Sequence, residues 1–238
     1  MRIIINEKTI SGVIFDIDGV LLDSMAIWKN LGARYLETIG IRPEEGLGET
    51  LFSMSMEEGA DYLKEQYNVP KSREEIISGI EELLKDFYYS EVLLKPGAME
   101  LVAFFRWLAI PVTAATSSPR EHVTKALERN GMIRYIDRIF TNSEIGESKH
   151  SKKIYDIASQ SMGTVPEETL VFEDSLYALK TAKAAGYITA GVFDPNGESD
   201  QEGMKKEADI YLLSFSEIFR YIRNKGGGFE NSSDDSRQ

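Results

Sequence analysis

The chain has 238 residues and a net charge of −12, from 39 acids and 27 bases. That balance argues against nucleic acid or an anionic membrane as the main partner, and the absence of cysteine excludes disulfides and thiolate-held metals. With His122 and His150 as the only histidines, a multi-histidine centre is excluded too, so any metal would be held by oxygen, which points to Mg²⁺. No run of about 18 apolar residues is present, so no membrane span is expected. The N-terminal Met-Arg-Ile-Ile-Ile-Asn-Glu-Lys has no signal-peptide core, and a cytoplasmic location is the expectation.

Residues 1–8 read as an extension or a short edge strand, and a first core strand is predicted over about 11–16. From Ser24 to about Tyr89 the pattern is helical. Ile27, Leu31, Tyr35, Leu36 and Ile39 mark a first helix that Gly40 and Pro43 end. A second helix covers roughly Ser55 to Tyr67 and stops at Pro70. Ser72 and Glu75 form an S-x-x-E capping box for a third, with Ile76, Ile80, Leu83, Leu84 and Phe87 facing inward. From Lys95-Pro96-Gly97 onward strands and helices alternate. Strands are predicted at 110–116, 137–141, 169–173, 188–193 and 209–212, and helices at 98–108, 119–131, 151–162, 175–186 and 214–224. Such alternation makes an α/β protein with a parallel sheet covered on both faces, interrupted by an all-helical insertion of about 65 residues. The Gly/Ser/Asp-rich end, 226–238, is expected to be a flexible tail.

Four stretches carry the chemistry, each after an apolar run. Val13-Ile-Phe-Asp16-Ile-Asp18-Gly19 places two carboxylates at a strand's C-terminal end, where ligands bind in open α/β sheets. Asp-x-Asp-Gly alone can be a plain turn. An EF-hand is excluded, because its sixth-position Gly falls fourth here and Ile27 stands where its Glu would be. The informative reading makes Asp16 a nucleophile and metal ligand. Asp18 is then a general acid/base whose main-chain carbonyl turns to the same metal. Val112-Thr-Ala-Ala-Thr116-Ser117-Ser118-Pro119 ends a strand in hydroxyls before a helix N-terminus, which suits an anion as well as it suits ordinary capping. Lys149 precedes another helix and can neutralise a phosphoryl group, though Lys152 and Lys153 lie close enough to be confused with it. Thr169-Leu-Val-Phe-Glu173-Asp174 delivers two acids. Alternation along a strand favours Asp174 as metal ligand, with Glu173 as a second ligand or an outer acceptor. Asp16, Asp18, Glu173 and Asp174 converging in one cleft would repel unless Mg²⁺ and Lys149 offset them.

Together these motifs make the chain resemble the haloacid dehalogenase-like superfamily from about residue 10 to 224, in the branch of β-phosphoglucomutase and sugar-phosphate or phosphoglycolate phosphatases. The resemblance implies a Rossmann-like core (1–23 and 93–225) with a helical cap (24–92), Mg²⁺, and an aspartyl-phosphate on Asp16. It implies phosphate binding by Thr116, Ser117 and Lys149. It also implies that Asp18 protonates the leaving group and later activates water. The expected activity is hydrolysis of a small phosphorylated metabolite, with a phosphomutase as the alternative and a phospho-acceptor signalling domain as a remote one. Two departures stand out. The lysine motif reads Lys149-His150-Ser151 in place of Lys-Pro-x-Pro, and the positions matching a mutase's hinge histidine and cap arginine hold Trp28 and Met56, which favours hydrolysis. Met25, Trp28, Met54 and Met56 are expected to face the site. The substrate's identity and the oligomeric state are not written in the motifs.

Overall fold

The computed structural model describes residues 3–5, 7–51, 54 and 56–224. Two short strands, β1 (Ile3–Ile5) and β2 (Lys8–Ile10), open the chain and pair antiparallel. β3 (Gly12–Phe15) then enters the centre of a second sheet, buried at every residue. Four helices follow: α1 (Met25–Thr38), α2 (Leu47–Leu51), α3 (Met56–Gln66) and α4 (Arg73–Asp86), the last running into a π-helical turn over Phe87–Glu91. The remainder alternates as α5 (Ala98–Trp107), β4 (Val112–Thr116), α6 (Arg120–Arg129), β5 (Arg138–Thr141), α7 (Asn142–Ile145), α8 (Lys153–Met162), β6 (Thr169–Glu173), α9 (Leu176–Ala184), β7 (Ile188–Val192), α10 (Gln201–Glu207), β8 (Ile210–Leu212) and β9 (Ile222–Asn224).

The six core strands run parallel in the order β5-β4-β3-β6-β7-β8. β4, β6 and β7 are buried at every residue, as expected of a sheet covered on both faces. The chain builds outward from β3 to β5, then crosses back to place β6 on the other side of β3. This reversal is a topological switch point, the place where an open α/β sheet leaves a crevice at its strand ends. Phe15 and Phe172 stack across β3 and β6 with centroids 4.5 Å apart, and Phe105 of α5 closes on both.

The expected capping box is present: Glu75 N–H donates to Ser72 Oγ (3.2 Å) and Ser72 N–H to Glu75 Oε2 (2.7 Å). Ile76, Ile80, Leu84 and Phe87 are buried, with Leu83 only partly so. The second predicted helix begins at Met56, and Ser55 lies outside the described residues. The C-terminal prediction needs correction. In place of a helix over 214–224, a 3₁₀ segment (Phe215–Arg220) gives way to β9, which pairs antiparallel with β1 in the register Ile5↔Ile222. Phe215 and Ile218 satisfy helical spacing, but a long-range partner at the other end of the chain takes the last residues into a sheet. The expected tail, 226–238, lies outside the described residues. No helix among the described residues is long and apolar enough to cross a membrane.

Candidate active site

The strand ends at the switch point bring the sequence motifs together. Asp16 leaves β3 with its N–H donating to Phe172 O of β6 (2.9 Å). Its Oδ1 lies 2.6 Å from Lys149 Nζ. The same ammonium lies 2.8 Å from Glu173 Oε1, which also accepts from Tyr155 OH at 2.7 Å. Lys149 is 2 % exposed. Lys152 and Lys153 are instead held outside by Asp156 and Glu147, so the structure separates the three lysines.

Asp16, Glu173 and Asp174 each offer a carboxylate oxygen within 4.8 Å of the other two, and all three residues are buried. β6 ends at Glu173 and the chain has turned by Asp174, so both acids reach the cluster despite strand alternation. Gly19 makes the approach possible. At φ +73° it occupies left-handed backbone, and a Cβ there would lie 2.1 Å from Asp174 Oδ2. Lys95, which in the sequence only marks where the alternating region begins, secures this loop. Its partly buried ammonium donates to Gly19 O (2.7 Å) and Phe193 O (2.8 Å) and pairs with Asp194 Oδ2 at 2.8 Å.

Asp18 has a different environment, and its carboxylate is not part of the three-acid cluster. Oδ1 accepts from Ser24 Oγ (2.7 Å) and Tyr88 OH (2.6 Å), and Oδ2 from Ser118 Oγ (2.6 Å). Ser24 and Tyr88 stand at the two ends of the helical block, so both crossings between block and sheet meet at this carboxylate. Ser118 was legible only as a member of a hydroxyl run, and Ser24 only as the start of the helical block. Tyr88, 70 residues from Asp18, gives no sequence signal of its own. Thr116 Oγ1 accepts from Ser118 N–H (3.0 Å), which leaves its own proton free to donate. Ser117 Oγ accepts from Asn142 Nδ2 (2.7 Å).

The electrostatics follow from burial. Desolvation pushes the Asp16 carboxyl well above its ordinary range, with Lys149 opposing and Glu173 and Asp174 adding to the rise. Asp174 is pushed up to about 7, first by burial and then by Glu173. Burial alone would lower the Lys149 ammonium, but the Asp16 and Glu173 carboxylates hold it above its ordinary value. Glu173 Oε2 is buried with no hydrogen-bond partner.

A cavity of about 670 Å³ opens above these groups. Asp16, Asp18, Lys149 and Asp174 lie on its floor. Met25, Trp28, Met54 and Met56 are among its lining on the helical side, as expected of them.

The switch point of this parallel sheet gathers an Asp-x-Asp pair, a buried lysine and a second acid pair, an arrangement that defines a hydrolase. The chain belongs to the haloacid dehalogenase-like hydrolase family, whose profile matches residues 13–192. It is similar to a phosphorylated carbohydrates phosphatase of Thermotoga maritima, 29% identical over 174 residues, or 73% of this chain and 81% of that protein. It is also similar to hexitol phosphatase B of Escherichia coli K12, 25% identical over 89% of this chain and 95% of that one. Among solved structures, a candidate beta-phosphoglucomutase of Thermotoga maritima superposes with a TM-score of 0.79 at 26% identity, covering 89% of this chain and 97% of the other. The chain is an enzyme, a phosphatase of this family.

Proposed function

We propose that the enzyme is a Mg²⁺-dependent phosphatase of small sugar-phosphate-like monoesters, working in the cytoplasm through a phosphoryl group carried on Asp16. The observation that carries this reading is the contrast between two aspartates one residue apart. Asp16 joins Lys149 and the acid cluster, whereas Asp18 is set aside among three hydroxyl donors.

The acid cluster fits a hard divalent cation. Its donors are all oxygen, Glu173 Oε2 is buried without a partner, and Lys149 alone offsets only part of the charge. Asp16, Glu173, Asp174 and the main-chain carbonyl of Asp18 would hold Mg²⁺. Bound there, the ion supplies charge neutralisation and polarisation of the phosphoryl group.

Asp16 attacks phosphorus, forming an acyl phosphate as the bond to the ester oxygen breaks. Lys149 and the Thr116 and Ser117 hydroxyls hold the phosphoryl oxygens. Asp18 gives its proton to the departing oxygen, then takes one from the water that attacks the phosphoryl group. Inorganic phosphate leaves and Asp16 is restored. Residues 24–92 act as a cap on the core formed by 1–23 and 93–225, and the apolar lining on the cap side keeps water away during transfer.

Hydrolysis is favoured over mutase action. A mutase must hold a bisphosphate in two orientations, which calls for a cap cation on the distal phosphate and a proton relay at the hinge. Trp28 lines the cavity and cannot relay a proton, and Met56 cannot pair with a phosphate, so a distal anion would need a cap cation elsewhere while the hinge relay is still lacking. The test is incubation with a panel of sugar monoesters, with Mg²⁺ and with EDTA, and then with β-glucose 1-phosphate plus a catalytic amount of the 1,6-bisphosphate. Metal-dependent release of inorganic phosphate is expected. Undiminished activity in EDTA would remove the metal site, and glucose 6-phosphate formed faster than free phosphate would make the enzyme a mutase.

A further inference from the structure

The helical wall of the cavity has one feature that hydrolysis alone does not use. Met25, Trp28, Lys29 and Gly32 all line the cavity, at the i, i+3, i+4 and i+7 positions of α1 that form one helical stripe. Lys29 therefore sits on the cavity-facing side, half-buried among methionines, an indole and leucines. On its own helix the neighbouring positions are Met25, Ala26, Gly32 and Ala33, none of them acidic. Among the described residues it has no ion pair. The other cavity cation, Lys149, is committed to Asp16 and Glu173. Glu198, an acid lining the opposite side, accepts from the N–H groups of Leu176 and Asp200, both at 3.0 Å. The backbone at Lys29 is also fixed in place: α2 packs so tightly on it that a Cβ at Gly48 would lie 2.2 Å from Lys29 O. Of the other block cations that could anchor an anion, Arg34 is paired with Glu91 on another surface, and Lys64 does not line the cavity.

We propose that Lys29 is a specificity residue, its ammonium taking an anionic group at the end of the substrate remote from the transferred phosphate. The proposal rests on the phosphatase reading above and narrows its substrate class to monoesters with a second anion, such as phosphorylated sugar acids. A half-desolvated ammonium in an apolar wall gains more from a full opposite charge than from a neutral hydroxyl. A cavity of about 670 Å³ leaves room for a sugar-sized body between the catalytic floor and the cap.

The test uses the full-length enzyme with Mg²⁺ and two substrates of equal length, 6-phosphogluconate and sorbitol 6-phosphate, which differ in a terminal carboxylate. The wild type should favour the carboxylated substrate in kcat/KM by about tenfold, the scale of one charged hydrogen bond, and mainly through KM. Lys29→Met should bring the ratio to near one, and Lys29→Arg should keep most of it. Loss of packing alone would lower both substrates together and leave the ratio intact. Equal wild-type values, or a ratio that survives Lys29→Met, would overturn the role of Lys29 while leaving the phosphatase reading standing. No phosphate released from either substrate or from p-nitrophenyl phosphate would instead remove the phosphatase reading, and this inference with it.

Discussion

Asp16 and Asp18 differ in what surrounds them, and that difference predicts different losses. Asp16→Asn keeps the shape but removes the proposed nucleophile and a cluster carboxylate, so turnover should vanish with the fold intact. Retention of more than about a tenth of wild-type activity, a barrier change under roughly 1.4 kcal/mol, would place the nucleophile elsewhere. Asp18→Asn should still allow an activated donor to phosphorylate Asp16, but hydrolysis should slow by about 10² to 10⁴. Tyr88→Phe probes the support of Asp18. The ring stays stacked near His122, at 5.6 Å, while one of three hydroxyl donors is lost. The expected result is a fall in kcat on the order of tenfold with little change in KM. An unchanged kcat would show that Ser24 and Ser118 suffice. At this scale, Asp16, Asp18, Thr116, Ser117, Lys149, Glu173 and Asp174 were legible because each ends or follows an apolar strand, and strand ends of a parallel sheet meet. Tyr88 and Lys95 were not, because each acts through a contact made only by the tertiary fold.

At the level of elements, the helical block rests on local signals that can be tested separately from catalysis. The Ser72 capping box satisfies two backbone N–H donors at the start of α4, and the guanidinium of the next residue, Arg73, pairs with Asp61 of α3. Ser72→Ala should cost about 1 kcal/mol, lowering Tm by roughly 2–4 °C for a chain of this size. kcat should stay unchanged, because the cap lies at the far end of α4 from Tyr88. A kcat that falls with Tm would mean that the block's stability and its position over the site are coupled. The core strands were readable to within a residue or two, since fully buried parallel strands show as continuous apolar runs. Short pieces were not. α2 and α10 are too brief to show a period. β9 exists only because β1 lies beside it, and that pairing joins opposite ends of the chain.

Across the whole molecule, the fold concentrates negative charge in one buried place, and that makes cation binding and pH interdependent. With no cation bound, the folded-state Asp174 carboxyl is pushed up to about 7 from an ordinary 3.8, and Asp16 is raised too. A raised carboxyl stabilises the fold most below its unfolded value, and that contribution is lost as pH climbs from about 4 to about 7. In that window the folded protein keeps a proton that the unfolded chain has released. Mg²⁺ needs the ionised carboxylates, so it must displace the Asp174 proton at pH 6 but meets an ionised Asp174 at pH 8. Thermal unfolding of the chelated protein, with and without Mg²⁺, reads both effects. At a hundredfold excess over Kd, the gain is about 2.7 kcal/mol, or a Tm rise on the order of 5–10 °C. At the same Mg²⁺ concentration the rise should shrink markedly at pH 6. In Asp174→Asn the shift should be small at either pH, since an amide offers a weaker ligand and nothing to titrate. A Tm that ignores Mg²⁺ at pH 8 would remove the cluster as a cation site. Equal shifts at pH 6 and pH 8 would show that its carboxylates are already ionised in the folded protein, and that Lys149 outweighs the burial of all three.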